Sequence, residues 1–115
     1  MKRSFRLTRS TDFKRVRSAG KSYAHPLLVL VASPTAEYSL KVGVTAGRSV
    51  GGAIQRNRAK RLLREAMRFL LPAIRPGWDL ILIARQPLSA ATYEQVQSTL
   101  SQLIRRANLL IPPQP

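Results

Sequence analysis

The residues whose types and spacing could do chemistry are concentrated between positions 51 and 71, in the stretch GGAIQRNRAKRLLREAMRFLL. At about 100° per residue, a helix over this stretch gathers six residues into one sector roughly 140° wide. The six are Arg56, Asn57, Lys60, Arg61, Arg64 and Arg68. Four of the five cations follow one another at i,i+4, and like charges at this spacing destabilise an isolated helix. The pattern favours a surface for a bound polyanion, with an ordinary solvated face as the alternative.

The opposite side of the same helix is apolar and predicts how the helix packs. It carries Ala59, Leu62, Leu63, Ala66, Phe69 and Leu70. Glu65 is the only acid in the stretch and lies beside the cationic sector, one turn after Arg61. The adjacent glycines Gly51 and Gly52 precede the helix, and we interpret them either as a tight turn or as a place where backbone amides approach a phosphate.

Groups that could catalyse hydrolysis are sparse. The acidic residues form no close pair in the sequence of the kind that holds two metal ions; they are Asp12, Glu37, Glu65, Asp79 and Glu94. His25 is the sole histidine, which excludes a pair of histidines acting as acid and base. No serine stands in a recognisable set with a histidine and an acid. The sequence therefore favours a binding protein, although acids distant in sequence can still meet in space.

The composition points to the class of polyanion. The 115 residues include 20 Lys and Arg against 5 Asp and Glu, giving a formal net charge of +15. Basic residues occur near the start, in the central stretch and at Arg105 and Arg106, so the charge belongs to a whole domain. Such a balance indicates nucleic acid, and an acidic membrane surface is the weaker candidate because the apolar helix face is needed for a core.

Cysteine usage and hydropathy suggest a compartment. The chain has no cysteine, so it can form neither a disulfide framework nor a thiolate metal site. No signal-type apolar run follows the basic start, and the longest apolar stretch, residues 27–32, is too short to span a bilayer. We expect a cytoplasmic protein without a membrane association.

The remaining elements predict one α+β domain with helices packed on a sheet. Residues 11–19 form a short helix with Ser10 as N-cap, and Thr92 begins a last helix with the capping box T-x-x-Q. Strands are predicted at residues 27–32, 38–44 and 78–84, the first two paired as an antiparallel hairpin. We expect the domain to cover residues 1–110 and the proline-rich residues 111–115 to form a mobile tail.

Residues 41–68, KVGVTAGRSVGGAIQRNRAKRLLREAMR, resemble the signature of the bacterial ribonuclease P protein subunit. That signature is an RNR-containing helix that follows a valine-glycine strand and a glycine-bearing loop. The matching positions in the helix are Arg56, Asn57, Arg58, Lys60, Arg61, Arg64 and Glu65. Residues 77–85 resemble the last strand of the family, and a further set resembles its first helix: Arg6, Leu7, Asp12, Phe13, Val16 and Gly20.

The resemblance implies a fold and an activity. The fold is a two-layer α/β sandwich of order αβββαβα, like the second domain of ribosomal protein S5, with a left-handed crossover between parallel strands. The activity is ribonuclease P, in which the protein assists a catalytic RNA in removing the 5′ leader from precursor tRNA. The resemblance also implies that Mg²⁺ is bound mainly by the RNA subunit and none by the protein alone. The implied partners are the RNA subunit and precursor tRNA, with no obligate protein partner.

Two groups of residues acquire roles from the resemblance. The set facing the RNA subunit is Arg56, Asn57, Arg58, Lys60, Arg61, Arg64 and Arg68. The set lining a cleft for the leader is Phe13, Arg17, Lys21, Ser22 and Val31. Arg17 stands where many members carry a second aromatic residue, and Val31 stands where some carry a tyrosine, so we expect a guanidinium plane and charge to replace part of the stacking. Phe13 has the alternative role of packing against the sheet.

Two other functions remain open at this point. A structural RNA-binding protein of the ribosomal type explains the charge and the fold equally well. A metal-dependent nuclease acting by itself requires the acidic residues to converge in space.

Overall fold

A computed structural model describes residues 5–112, and its elements follow the order αβββαβα. The helices are α1 (Ser10–Ala19), α2 (Ala53–Leu70) and α3 (Tyr93–Arg106), and the strands are β1 (Lys21–Ala24), β2 (Leu28–Pro34), β3 (Leu40–Ala46) and β4 (Trp78–Ala84). Short 3-10 helices lie at Arg48–Val50, Leu71–Ala73 and Gln86–Ala90. The predicted α+β class and element order are confirmed.

The four strands form one sheet in the order β1-β2-β4-β3. Strand β4 pairs antiparallel with β2 and parallel with β3, so the predicted hairpin between the second and third strands is wrong. The reason lies in β4, whose Leu80 and Ile81 are both fully buried although they point to opposite faces. A strand that is apolar on both faces takes a central position, and α2 supplies the long connection that parallel pairing needs.

The main core lies between the sheet and the layer formed by α2 and α3. Its largest fully buried side chains are Leu28, Leu30, Leu63, Met67, Leu80, Leu82, Leu88, Leu100, Leu103, Ile104 and Leu109. A smaller cluster on the other face joins α1 to the sheet through Leu7, Val16, Val31 and Ile81. Helix α1 therefore lies across the sheet from α2, and this separates the two sets of predicted site residues.

Chain ends and helix caps refine the predicted boundaries. The capping box of α3 is confirmed, because Thr92 Oγ1 accepts from Gln95 N at 3.2 Å and Gln95 Oε1 accepts from Thr92 N at 2.9 Å. Helix α1 begins at Ser10 itself, so Ser10 is not its N-cap. Ile111 N donates to Ala73 O at 2.8 Å, and the predicted division into a domain of residues 1–110 and a mobile tail of residues 111–115 stays a prediction. Residues 1–4 and 113–115 lie outside the described range.

Candidate nucleic-acid interface

Helix α2 turns its apolar side to the core along an arc centred on Leu63. Ala59, Leu63, Ala66 and Met67 are fully buried, whereas Phe69 is 65% exposed. The prediction that Phe69 belongs to the core-facing side is therefore wrong. At about 100° per residue, Phe69 lies roughly 120° from Leu63 and Met67 only about 40° from it, so the methionine fills the position next to the core.

The cationic sector of α2 lies beside this buried arc and faces outward. Asn57, Arg61 and Arg68 are exposed, and Lys60 and Arg64 are half-buried beside the arc. Arg56 is half-buried in the first turn of the helix, about 20° from the direction of Leu63. Within residues 5–112 the only ion pairs involve Arg15 of α1, so no carboxylate neutralises these cations. The i,i+4 series remains an array of like charges, which is the electrostatic condition that a polyanion relieves.

Arg58 stands apart from the other cations of the helix. Its Nε donates to Ser89 O at 2.8 Å and its Nη2 to Ala91 O at 3.4 Å. The side chain thus joins α2 to the end of the 3-10 helix that precedes α3, about 160° around the helix from Arg56. In this structure Arg58 positions α2, and its predicted contact with an RNA subunit stays a prediction.

The start of α2 combines a glycine turn with free amides. Gly51 has a φ of +140°, a conformation that only glycine adopts easily, which supports the interpretation as a tight turn. Gly52 is the N-cap, no side chain of the described residues caps the helix, and the first turn contains no acid. The unbonded amides carry the positive end of the helix dipole, so this end adds to the attraction of the cationic sector for an anion.

On the other side of the sheet, Phe13 of α1 lies on the main chain of β3. A Cβ atom added at Gly43 would lie 2.4 Å from Phe13 Cζ, so the ring requires a glycine at this point of the strand. Phe13 is nevertheless only half-buried. Its ring contributes to the packing of α1 and also presents a partly exposed aromatic surface beside the sheet.

Two rows of residues cross the α1 face of the sheet. The register places Ser22, Val31, Ile81 and Gly43 in one row, which α1 largely covers. The next row contains Ala24, Val29, Ile83 and Thr45, and its two central residues are half-buried. Val29 and Ile83 were missed from the sequence, although their i±2 spacing from Val31 and Ile81 assigns all four to one face.

Val31 is buried under the end of α1 in this structure, and its predicted role in the leader cleft stays a prediction. It is only 3% exposed because the end of α1 packs directly on it. A Cβ atom at Gly20 would lie 2.7 Å from Val31 Cγ1 and 2.5 Å from Val16 O. Gly20 therefore permits a close approach that buries the valine beneath the helix terminus.

Lys21 also departs from the predicted cleft set. Neighbouring side chains of a strand point to opposite faces, so Lys21 lies on the α3 face while Ser22 lies on the α1 face. Its Nζ is 5.6 Å from the centroid of the Tyr23 ring. Arg17, one turn after Phe13 on α1, and Ser22 are both exposed. The α1 face thus keeps Phe13, Arg17 and Ser22 of the five predicted residues.

A partly buried ion pair links α1 to the sheet. Asp79 Oδ2 of β4 accepts from Arg15 Nη2 at 2.7 Å, and the aspartate side chain is only 6% exposed. The hydrogen bond to Asp79 raises the pKa of the Arg15 guanidinium above its ordinary value. Asp12 adds a longer contact with the same guanidinium, at 3.5 Å. This link determines where Phe13 and Arg17 lie relative to the strands.

The acidic residues converge only partly. A polar cavity of about 280 Å³ is lined by Asp12, Glu37 and Asp79 together with Arg15 and Lys41. In the part of the chain that the structure describes, no group of three acids or histidines is arranged to hold a metal ion. Cations are interleaved with the carboxylates here, so the arrangement is unsuited to two-metal hydrolysis.

Comparison with known proteins decides the family. The family model described as Ribonuclease P matches residues 1–108. The chain belongs to the ribonuclease P protein family. The ribonuclease P protein component of Herpetosiphon aurantiacus is 44% identical over 109 residues, covering 95% of this chain and 89% of the relative. That of Chloroflexus aurantiacus is 41% identical, covering 98% of this chain and 84% of the relative.

Solved structures of the ribonuclease P family have the same fold. The Staphylococcus aureus RNase P protein superposes with a TM-score of 0.84 at 27% identity, covering 95% of this chain and all of that one. The Thermotoga maritima RNase P protein gives 0.78 at 28% identity, covering 88% of this chain and 96% of that one. The chain is thus a protein component of the ribonucleoprotein endoribonuclease, an RNA-binding protein that works with the RNA subunit in tRNA 5′ processing. Catalysis belongs to the RNA, in agreement with the sparse acids and single histidine.

Membership in the ribonuclease P family also settles the two alternatives drawn from the sequence. The family is that of the protein component of a ribozyme, and it is neither a family of structural ribosomal proteins nor one of nucleases that act without RNA. Among residues 5–112, no helix combines the length and apolar character needed to cross a membrane.

Proposed function

We propose that the chain binds the RNA subunit through the cationic sector of α2 and the 5′ leader of precursor tRNA through the α1 face of the sheet. The observation that carries this proposal is the placement of the two sets of residues on opposite sides of one sheet. One protein can therefore contact a catalytic RNA and a substrate strand at the same time, without competition for the same side chains.

The chemistry of each surface supports its assignment. Arginine side chains of α2 make bidentate contacts with phosphates, and Asn57 can both donate to and accept from a sugar or base edge. The α1 face offers a partly exposed ring at Phe13, half-buried Val29 and Ile83, and the polar groups of Arg17 and Ser22. Aromatic and apolar groups beside a cation suit unpaired bases with little sequence preference.

The remaining parts of the proposal concern Mg²⁺, the substrate and the cellular compartment. Mg²⁺ is held mainly by the RNA subunit, and the cations of the protein reduce the amount of Mg²⁺ that the assembled RNAs require. Precursor tRNA is the substrate, and no further protein is needed for assembly. The site of action is the cytoplasm, with which a cysteine-free chain is compatible.

Reconstitution with the RNA subunit tests this function. We expect the protein to lower the Mg²⁺ concentration needed for cleavage and to favour a leader-bearing precursor over the same tRNA with a minimal leader. Protein without RNA should cleave nothing. An unchanged Mg²⁺ requirement together with equal binding of both substrates would contradict the proposal.

The ion pair under α1 gives a sharper prediction for the leader surface. Asp79→Asn removes the charge that holds Arg15, so α1 loses its fixed position while the α2 surface is untouched. We expect the preference for leader-bearing over leaderless substrate to fall several-fold, with RNA-subunit affinity unchanged. Equilibrium binding of the two substrates by the holoenzyme measures this preference.

Asp12→Asn is the matched control for the Asp79 variant, because Asp12 makes only the longer contact with Arg15. It should retain most of the leader preference. Equal reductions in both variants would show that the total negative charge, and not the buried anchor, controls leader binding.

A further inference from the structure

Two cations share one aromatic ring at the free edge of the sheet. Lys21 Nζ lies 5.6 Å from the centroid of the Tyr23 ring, and Arg106 Cζ of α3 lies 6.0 Å from the same centroid. Both distances are within the range of cation–π attraction. The Tyr23 ring is thus a partner common to both cations, one from β1 and one from the end of α3.

The guanidinium in this group is fixed in place. Arg106 Nη1 donates to Ala24 O of β1 at 3.1 Å, and Tyr23 is half-buried against the main core. The ion pairs within residues 5–112 all involve Arg15, so neither Lys21 nor Arg106 has a carboxylate within salt-bridge distance in that range. The arrangement is a pre-positioned pair of cations without a counter-ion from the described part of the protein.

The position of this pair relates it to the α1 face. Within residues 5–112, strand β1 is at the edge of the sheet and pairs only with β2. Ser22 points to the α1 face, while Lys21 and Tyr23 point to the α3 face, so the strand forms a rim between the two. Gly20 alone separates α1 from this rim. A polynucleotide that leaves the α1 face past Arg17 and crosses β1 therefore meets the cation pair.

The same position separates the pair from the cationic sector of α2. Helix α2 packs on β3 and β4, whereas α3 packs beside β1, at the opposite edge of the sheet. Helix α3 therefore lies between the cationic sector of α2 and the β1 edge. This placement favours the substrate strand over the RNA subunit as the occupant.

We propose that Lys21, Tyr23 and Arg106 bind backbone phosphates of the leader, upstream of the nucleotides held on the α1 face. The proposal rests on the proposed function, in which the α1 face holds the leader. The ring orients the two cations, and the phosphate supplies the counter-charge that residues 5–112 do not. The interaction is independent of sequence, because only the backbone is bound.

A leader series tests the proposal in the holoenzyme. Precursor tRNAs whose leaders are lengthened one nucleotide at a time are bound to enzyme carrying wild-type protein or the double variant K21A/R106A. We expect equal affinity for short leaders and a roughly five- to tenfold lower affinity for long leaders, as for the removal of one or two charged hydrogen bonds. The slope of log affinity against log salt should fall by about 0.7 for each phosphate of the single strand that the variant no longer binds.

The control variant K14A/R105A removes the same charge from two exposed residues that do not contact the Tyr23 ring, and it should keep the long-leader affinity. Thermal unfolding of the free proteins checks stability. If the replacement of Arg106 destabilises the fold, the single variant Lys21→Ala is used instead, because it removes no hydrogen bond of the described residues. It should also lower the affinity for long leaders.

Each other outcome of the leader series has a definite meaning. Unchanged affinity for every leader, or weaker RNA-subunit binding in the absence of substrate, would overturn the assignment of this edge to the leader. A separate variant tests whether the α1 face binds the leader at all. If it does not, Arg17→Ala will leave the affinity for short leaders unchanged, and this result does not depend on the behaviour of K21A/R106A.

Discussion

Replacing Lys60, Arg61 and Arg64 of α2 together by alanine is expected to weaken RNA-subunit binding by about a hundredfold or more at physiological salt, because backbone phosphates dominate affinity for RNA. None of the three forms an ion pair within residues 5–112, so their charges are available to the RNA. The dependence of log affinity on log salt should become shallower by about 0.7 to 0.9 for each phosphate that the variant no longer binds. Filter binding over a series of salt concentrations measures both quantities.

A triple variant with the same change in charge separates direct binding from long-range attraction. Lys14, Arg85 and Arg105 are exposed cations outside α2. Their replacement by alanine should leave most of the affinity and a nearly unchanged salt slope. Equal reductions in the two triple variants would mean that the net charge of +15, and not the α2 surface, holds the RNA subunit.

Arg64→Ala alone should release one phosphate, and an unchanged slope would show that Arg64 touches none.

Phe13→Leu is expected to weaken binding of leader-bearing substrate by about five- to a hundredfold, because stacking of a base on an aromatic ring contributes about 1–3 kcal/mol. Leucine keeps an apolar side chain over Gly43, so α1 should remain in place. Phe13→Ala removes packing as well and should also lower the free energy of unfolding. Competition between leader-bearing and leaderless substrates, with chemical denaturation of each variant, measures the two effects separately.

The leucine variant decides between the two roles of Phe13. Unchanged leader affinity in Phe13→Leu, combined with reduced stability in Phe13→Ala, would assign the ring to packing alone. The leader would then depend on Arg17, Ser22 and the apolar row of Val29 and Ile83.

Local patterns in the sequence predict the helices and strands well. They predict the pairing of distant strands less well. The helix α2 and the capping box of α3 follow from spacing that neighbouring residues specify. The pairing of β2 with β4 depends on which strand must be buried on both faces, and a hairpin between consecutive strands is the more common arrangement. Phe69 shows the same limit within a helix, because the width of the buried arc depends on what packs against it.

The same difference between local and long-range interactions separates the site residues that could be predicted from those that could not. The cationic sector of α2 could be predicted because helical geometry alone gathers its members. The intramolecular role of Arg58 could not, since it depends on carbonyl groups of Ser89 and Ala91 more than thirty residues away. The places of Val31 and Lys21 in the fold could not be predicted either. Gly20 lets the end of α1 cover Val31, and the alternation of side chains along β1 places Lys21 on the α3 face.

The central claim is that α2 and the α1 face contact different RNAs, and tethered cleavage tests it most directly. The chain has no cysteine, so Arg68→Cys and Ser22→Cys each give a single attachment point for an iron chelate that generates hydroxyl radicals. In the holoenzyme with bound precursor, we predict cleavage of the RNA subunit from position 68 and of the leader from position 22. Cleavage of the same RNA segment from both positions would contradict the account.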